Sequence, residues 1–213
     1  MTRTLSNIAF ASTAALALAA RAEPAEPTSY DADSSAVSTL ASDNITEASF
    51  GCIRDLTQVD RFFVGNLDGD LDATVAVASS EDGGVFPVGS VVQLVPGEAM
   101  VKRANGFNAD TKDWEFFEFD ITPEGTSFRG RGHVDVVNRF DGNCLECHEK
   151  ARPEFDMICS TDNGCDPIPI NDAMIRALQK TDPRCGAPLE LTSEESENLA
   201  ALFAATGREM PEG

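Results

Sequence analysis

Val134-Asp135-Val136-Val137-Asn138-Arg139-Phe140-Asp141-Gly142-Asn143-Cys144-Leu145-Glu146-Cys147-His148 is the stretch on which the fold reading turns. It starts as an apolar, β-branched run, reads as a turn up to Asp141, and ends in C-x-x-C-H. Two thiols three positions apart can add to the two vinyl groups of one haem. The imidazole fused to the pair then falls beneath the iron as its proximal ligand, so the motif implies covalent c-type haem attachment. Cys144 and Cys147 are the candidate covalent anchors, and His148 is the candidate iron ligand. A thioredoxin-like dithiol would want a βαβ setting, not a strand and a turn. A zinc site from Cys144, Cys147, Cys159 and Cys165 has tolerable spacing, but the fused histidine favours haem.

Upstream, β-like runs alternate with turn chemistry. Ser90 to Val95 is apolar and β-branched, Pro96-Gly97 breaks it, and Ala99 to Lys102 reads as a returning strand. In Trp114 to Ile121, Trp114 and Phe116 share one face while Phe117, Phe119 and Ile121 share the other. This predicts a bulge near Phe116–Phe117 or burial on both faces. Pro123-Glu124-Gly125 is a turn, and Gly132 to Val137 reads as a further strand. Leu71, Ala73, Val75 and Val77 alternate with Asp72 and Thr74 as another strand. The preceding Asn66-Leu67-Asp68-Gly69-Asp70 misplaces its glycine for a calcium loop and lacks the closing Glu, so it reads as a turn. Ile53, Leu56, Val59 and Phe63 recur at helical spacing behind Ser49, predicting a short helix. Beyond the motif, Asn171 or Asp172 caps a helix carrying Met174, Ile175 and Leu178. Thr192-Ser193-Glu194-Glu195 forms a capping box ahead of Leu199, Leu202 and Phe203, with Gly207 at the exit. The expected fold class is α+β: a mainly antiparallel sheet with a few packing helices and one covalently attached haem.

The ends and the composition set the context. Arg3, the short apolar run Ile8 to Ala20, and Ala20-Arg21-Ala22 read as a Sec-type signal peptide over residues 1–22, implying a periplasmic protein with no membrane span. Residues 23–44 read as a disordered acidic linker. Residues 45–213 read as a single haem domain, with a Cys-containing helical extension from about 159. A net charge of −20 excludes nucleic acid as a partner and suits a cationic redox partner protein. Cys52, Cys159, Cys165 and Cys185 remain for two disulfides, with three connectivities open. Cys159 with Cys165 would close a short loop and leave Cys52 to Cys185.

Phe86-Pro87-Val88-Gly89-Ser90-Val91-Val92, then Asp113-Trp114-Glu115-Phe116-Phe117, then Asn143-Cys144-Leu145-Glu146-Cys147-His148, and finally Phe155-Asp156-Met157-Ile158 stand in an order that resembles the cytochrome P460 family, which includes the cytochromes c′-beta. The resemblance covers about Phe86 to Ile158, and only its haem motif is highly specific. It implies an antiparallel β domain with one haem c, bound through the motif's histidine and open on the distal side. Members with a lysine joined to the haem oxidise hydroxylamine. Members without it bind nitric oxide or carbon monoxide, often beneath a phenylalanine cap. Lys102 is the candidate cross-linking lysine, with Lys112 second, and a solvated surface lysine is the alternative for both.

The sixth ligand is weighed from what remains. His133 shares a face with Asp135, opposite Val134 and Val136, and reads as solvent-facing. Met100 is the candidate distal ligand, and Met174 reads as core. Phe116, Phe117 and Phe119 are candidates for an apolar pocket wall. Glu98, Glu115 and Asp156 are acids that could move protons. The function expected is an exported monohaem cytochrome that binds small diatomics or nitrogen oxides, with hydroxylamine or NO oxidation as its enzymatic extension. The alternative is an electron carrier with His/Met-ligated haem, using Met174 or Met210 in a C-terminal haem domain.

Overall fold

Residues buried on alternate sides of successive strands set the architecture. The computed structural model describes residues 41–95, 97–168 and 170–206, all within one compact unit. The signal-peptide reading, most of the linker, Gly207 and Met210 lie outside the described residues. Strands Thr57–Val59 (β1), Phe62–Asn66 (β2), Ser90–Leu94 (β3), Glu98–Lys102 (β4), Trp114–Thr122 (β5) and Gly125–Gly132 (β6) form one antiparallel sheet in chain order. Helices accompany it, so the α+β class stands.

Cross-strand register sorts the side chains. Val64 pairs with Val92, Val92 with Met100, Met100 with Phe116, and Phe116 with Gly132, giving one row on a single face. That face packs Trp114 and Phe116 against Phe86, Val136, Met157 and Ile158. The opposite face packs Val91, Val101, Phe117 and Phe119 against Ile45 and Phe50. The central strands are therefore apolar on both sides, which is why β5 carries aromatics at consecutive positions. A bulge is present as well: Glu118 pairs with Gly130 but Phe119 with Phe128, so Arg129 is the extra residue and the irregularity lies on β6.

Three local readings are corrected. Leu71–Ala78 is a helix (α1), not a strand. Its alternation arises from alanines and small apolar residues that suit a helix equally, and buried Thr74 ties it to the sheet through hydrogen bonds with Asn66 and Ser90. Ile53 to Phe63 is not a helix: Ile53–Asp55 is a 3₁₀ turn, and β1 and β2 form a hairpin around Asp60, which adopts φ 50°. The β-branched and aromatic content of Val59 to Val64 outweighs the helical spacing. The last strand runs from Gly125 to Gly132 and not from Gly132 to Val137. Its arginines and glycines conceal it in sequence, because they suit a strand whose partner supplies the apolar surface. The turn at Asn66 is as read: its Oδ1 accepts from the backbone N–H groups of Asp68 and Asp70. Ala41–Asp43, inside the expected linker, forms a turn whose Ser42 is buried and bonded to Asp68.

Beyond the motif helix (Cys144–His148, α2), Asp172–Lys180 (α3) begins where Asn171 accepts from the Met174 N–H. Ser193–Thr206 (α4) opens with the capping box, in which Thr192 and Glu195 bond reciprocally. Ile175 of α3 seats against Ile53, Phe63 and Val95, away from the motif. The disulfides are Cys52–Cys185 and Cys159–Cys165. The first links positions 133 residues apart, beside the Arg54 contact to the Cys185 carbonyl. Closing so long a loop removes much unfolded-state entropy. Cys52→Ser/Cys185→Ser should lower unfolding stability by about 3 kcal/mol in urea titrations, while Cys159→Ser/Cys165→Ser should cost less.

Candidate functional site

The site grows from the turn ahead of the motif. Asn138 Oδ1 accepts from the N–H groups of Phe140 and Gly142, each at 3.0 Å. Asn143 then caps α2: its Oδ1 accepts from Glu146 N–H at 3.0 Å, while its Nδ2 donates to the Val134 carbonyl at 2.8 Å. These bonds set the first turn of α2 against the sheet edge. Cys144, Cys147 and His148 thereby line one cavity of about 380 Å³, within the size range of small-molecule and cofactor sites. The sheet supplies Phe62, Val92, Leu94, Met100 and Phe116 to its wall. The segment after the motif supplies Ile158 and the Cys159–Cys165 bridge.

His148 Nδ1 lies 2.7 Å from the Met157 carbonyl oxygen. A carbonyl only accepts, so Nδ1 carries the proton and the Nε2 lone pair is left for a ligand. Burial pushes the imidazole below its ordinary range, outweighing the carbonyl's opposing pull, so the ring is neutral at pH 7. The Phe116 ring packs 5.2 Å from it. The accepting carbonyl belongs to a segment fixed at several points. Gly84 N–H donates to the Glu154 carbonyl at 2.8 Å, and the Trp114 indole N–H to the Asp156 carbonyl at 2.7 Å. Gly83, at φ +74°, permits this approach, since a Cβ there would lie 2.2 Å from the Glu154 oxygen.

Cys144 and Cys147 are the free cysteines among the described residues. Burial pushes the Cys144 thiol up to about 12, with the nearby Glu98 and Glu118 carboxyls adding to the effect. Burial also raises Cys147. Redox dithiols need the opposite shift. The zinc alternative loses Cys159 and Cys165 to a disulfide, and among the described residues no three His, Cys, Asp or Glu side chains form a metal cage. Two unpaired thiols, a neutral histidine with a free Nε2, and an apolar wall fit a haem held from the motif side.

Glu98 also lines the cavity. Burial first, and the charge of Glu118 second, raise its carboxyl to about 7, against the pull of Arg139 and an Asn138 hydrogen bond. Glu118, its cross-strand neighbour, is 1% exposed. Its Oε1 accepts from Arg139 at 2.7 Å and Arg129 at 3.2 Å, while Oε2 has no partner.

The sequence candidates separate on this map. Met100 and Phe116 face the cavity together. Phe117 reaches its boundary, but its ring packs on the opposite face, 5.0 Å from Phe50. Phe119 lies wholly in that far core, 5.2 Å from the same ring. Lys102 is not a lining residue: its ammonium is 2.8 Å from Asp156 Oδ2, with both side chains about 5% exposed or less. Lys112 donates to the Pro153 carbonyl at 3.0 Å. Glu115 sits on the far face between Arg103 and Arg131. His133 is exposed, as expected, although not in a strand. Sequence reasoning missed Phe62, Val92 and Leu94, which a correct β2–β3 register would have placed beside Met100. It also missed Met157, whose contribution is a backbone atom.

No family model, curated protein or solved structure matches the chain.

Glu98 generates a pH prediction. Its raised folded-state value means the native protein holds this proton more tightly than the unfolded chain. The stabilisation is full at pH 4 and is lost as pH rises from about 4.5 to 7. Between pH 5 and 8, wild type should lose on the order of 2 kcal/mol relative to Glu98→Gln, read by denaturant titration at each pH.

Proposed function

We propose that the protein is an exported c-type monohaem cytochrome of the cytochrome P460 type whose cavity binds a small diatomic or nitrogen oxide. The observation that carries this reading is the state of His148: its Nδ1–H is committed to a carbonyl, and its free Nε2 shares a cavity with the two unpaired thiols. Once attached, haem supplies an iron with a coordination position for such a ligand. The chain's own residues do the rest. Cys144 and Cys147 would tether the porphyrin through thioethers, and His148 would ligate its metal through Nε2. Phe116 fixes the imidazole plane by packing on it. Phe62, Val92 and Leu94 exclude water from the wall, and Glu98 can hold a proton near neutral pH. With the Lys102 ammonium held by Asp156, the reading adopted is ligand binding without a lysine–porphyrin bond.

Met100 favours a second reading. It is 3% exposed, lines the cavity and pairs with Phe116, so its thioether is available to a metal there. A His/Met-ligated electron carrier serving a cationic partner would use it. The two disulfides fit an oxidising compartment under either reading. Among the described residues, no helix is long and apolar enough to cross a membrane.

Expression in a host that matures c-type haem tests both. The denatured wild type should carry one haem by intact mass, and Cys144→Ala/Cys147→Ala should carry none. Optical and EPR spectra should show high-spin iron that takes up carbon monoxide or nitric oxide. Low-spin iron that becomes high-spin in Met100→Leu would establish the electron-carrier reading instead. Colourless wild type at the mass of the processed polypeptide would end both.

A further inference from the structure

We propose that the buried Lys102–Asp156 ion pair is a positioning device for His148: it holds the Asp156–Met157 turn, and through the Met157 carbonyl it fixes which imidazole nitrogen faces the cavity. The iron-side consequences rest on the haem reading; the positioning does not.

Both carboxylate oxygens of Asp156 and its main-chain carbonyl are engaged. Its Oδ1 and Oδ2 accept from Lys102 Nζ at 3.0 and 2.8 Å, and Oδ2 also accepts from the Phe86 N–H at 3.0 Å. Its main-chain carbonyl accepts from Trp114 Nε1 at 2.7 Å. Lys102 in turn donates to the Lys112 carbonyl at 2.7 Å and stands 5.1 Å over the Trp114 ring. Three segments therefore converge on Asp156, namely the loop before β3, the strand β4 and the strand β5, while the loop before β5 holds Lys102.

That convergence holds an unfavourable backbone. Asp156 and Met157 have φ of 49° and 70°, successive left-handed residues without glycine. Such conformations are unfavourable for residues that carry a Cβ and persist only where the surroundings over-determine them. Their product is the direction of the Met157 carbonyl, which lies 2.7 Å from His148 Nδ1. A buried ion pair is weak evidence for stability, because apolar residues of similar volume often serve better. Asp156 joins the turn to Lys102 and to the Phe86 amide at once, which an apolar side chain could not do. Lys102 and Asp156 are positioning residues, acting on the ligand through a carbonyl. A firm N–H···O=C bond makes the imidazole a more basic ligand. Loosening it should favour the reduced metal and move the midpoint potential positive.

The test uses ¹⁵N-labelled full-length protein from a haem-maturing host, compared as wild type, Asp156→Asn, Lys102→Met and the double variant, with Ile175→Ala as a destabilised control remote from the loop. NMR of the carbon monoxide complex, or of the protein itself if intact mass shows no haem, follows solvent exchange of His148 Nδ1–H. In haem-loaded samples, potentiometry follows the iron. Each single variant should speed that exchange at least tenfold and shift the potential positive. The double should go no further than the larger single, and Ile175→Ala should leave both readouts in place. In wild type, His148 Nδ1–H and Trp114 Nε1–H end on carbonyls of successive residues and should exchange in one opening event. That comparison needs no variant to fold. Unchanged exchange in folded Asp156→Asn, an equal effect from Ile175→Ala, or a His148 proton exchanging far faster than Trp114 Nε1–H would each overturn the proposal. Absence of haem by mass removes the haem reading, while the exchange data still decide the positioning.

Discussion

One hydrogen bond, from His148 Nδ1 to the Met157 carbonyl, couples the motif helix to a segment that Trp114 and Lys102 hold against the sheet. The helix is only five residues long, too short to be stable by itself, and its side chains must be aimed from outside. The aim comes from two directions. Asn143 fixes the entry to the helix through its cap and its bond to Val134. The segment that returns over the sheet fixes the exit by accepting the imidazole proton. Without the second contact the cavity would have its three motif side chains but no fixed orientation of the imidazole.

What could be read in the sequence follows from how local each determinant is. C-x-x-C-H, the capping box at Thr192 and the Asn171 cap are local, and each is present in the structure. Strands β3, β4 and β5 were legible because turn residues bracket apolar runs. The helix Leu71–Ala78 was not, since its pattern satisfies period 2 as well as a buried helix and only contact with Asn66 and Ser90 decides between them. Strand β6 was hidden because its arginines are satisfied across the sheet, by Glu115 and Glu118, rather than by solvent alone. The pairing of Cys52 with Cys185 was reached by giving the short loop to Cys159 and Cys165, and the structure has both bridges.

The same limit explains Lys102. From sequence, a lysine on a strand upstream of the motif is either a surface residue or a reactive one. The structure gives it a buried carboxylate partner 54 positions away. No periodicity encodes such a contact. Phe116, Phe117 and Phe119 show the converse: alternation alone puts the first on one face and the other two on the opposite one, yet Phe116 packs beside His148, Phe117 still reaches the cavity boundary and Phe119 lies in the far core.

The charge distribution adds a final constraint on what the cavity can admit. The chain carries a net charge of −20, yet titratable groups of the cavity lining are held back from ionising. Burial, reinforced by nearby acids, keeps the Cys144 thiol protonated, and the same two causes keep Glu98 half-protonated near pH 7. His148 is neutral because burial lowers it. Exposed Asp60, Asp162 and Asp166 stand along the lining, with Arg61 as the guanidinium among those residues. Carboxylates along a lining repel an anion. An uncharged molecule meets no such repulsion and loses little on desolvation. Acids placed around a lining whose own titratable groups are held back from ionising would, under the proposed function, favour neutral ligands over anionic ones.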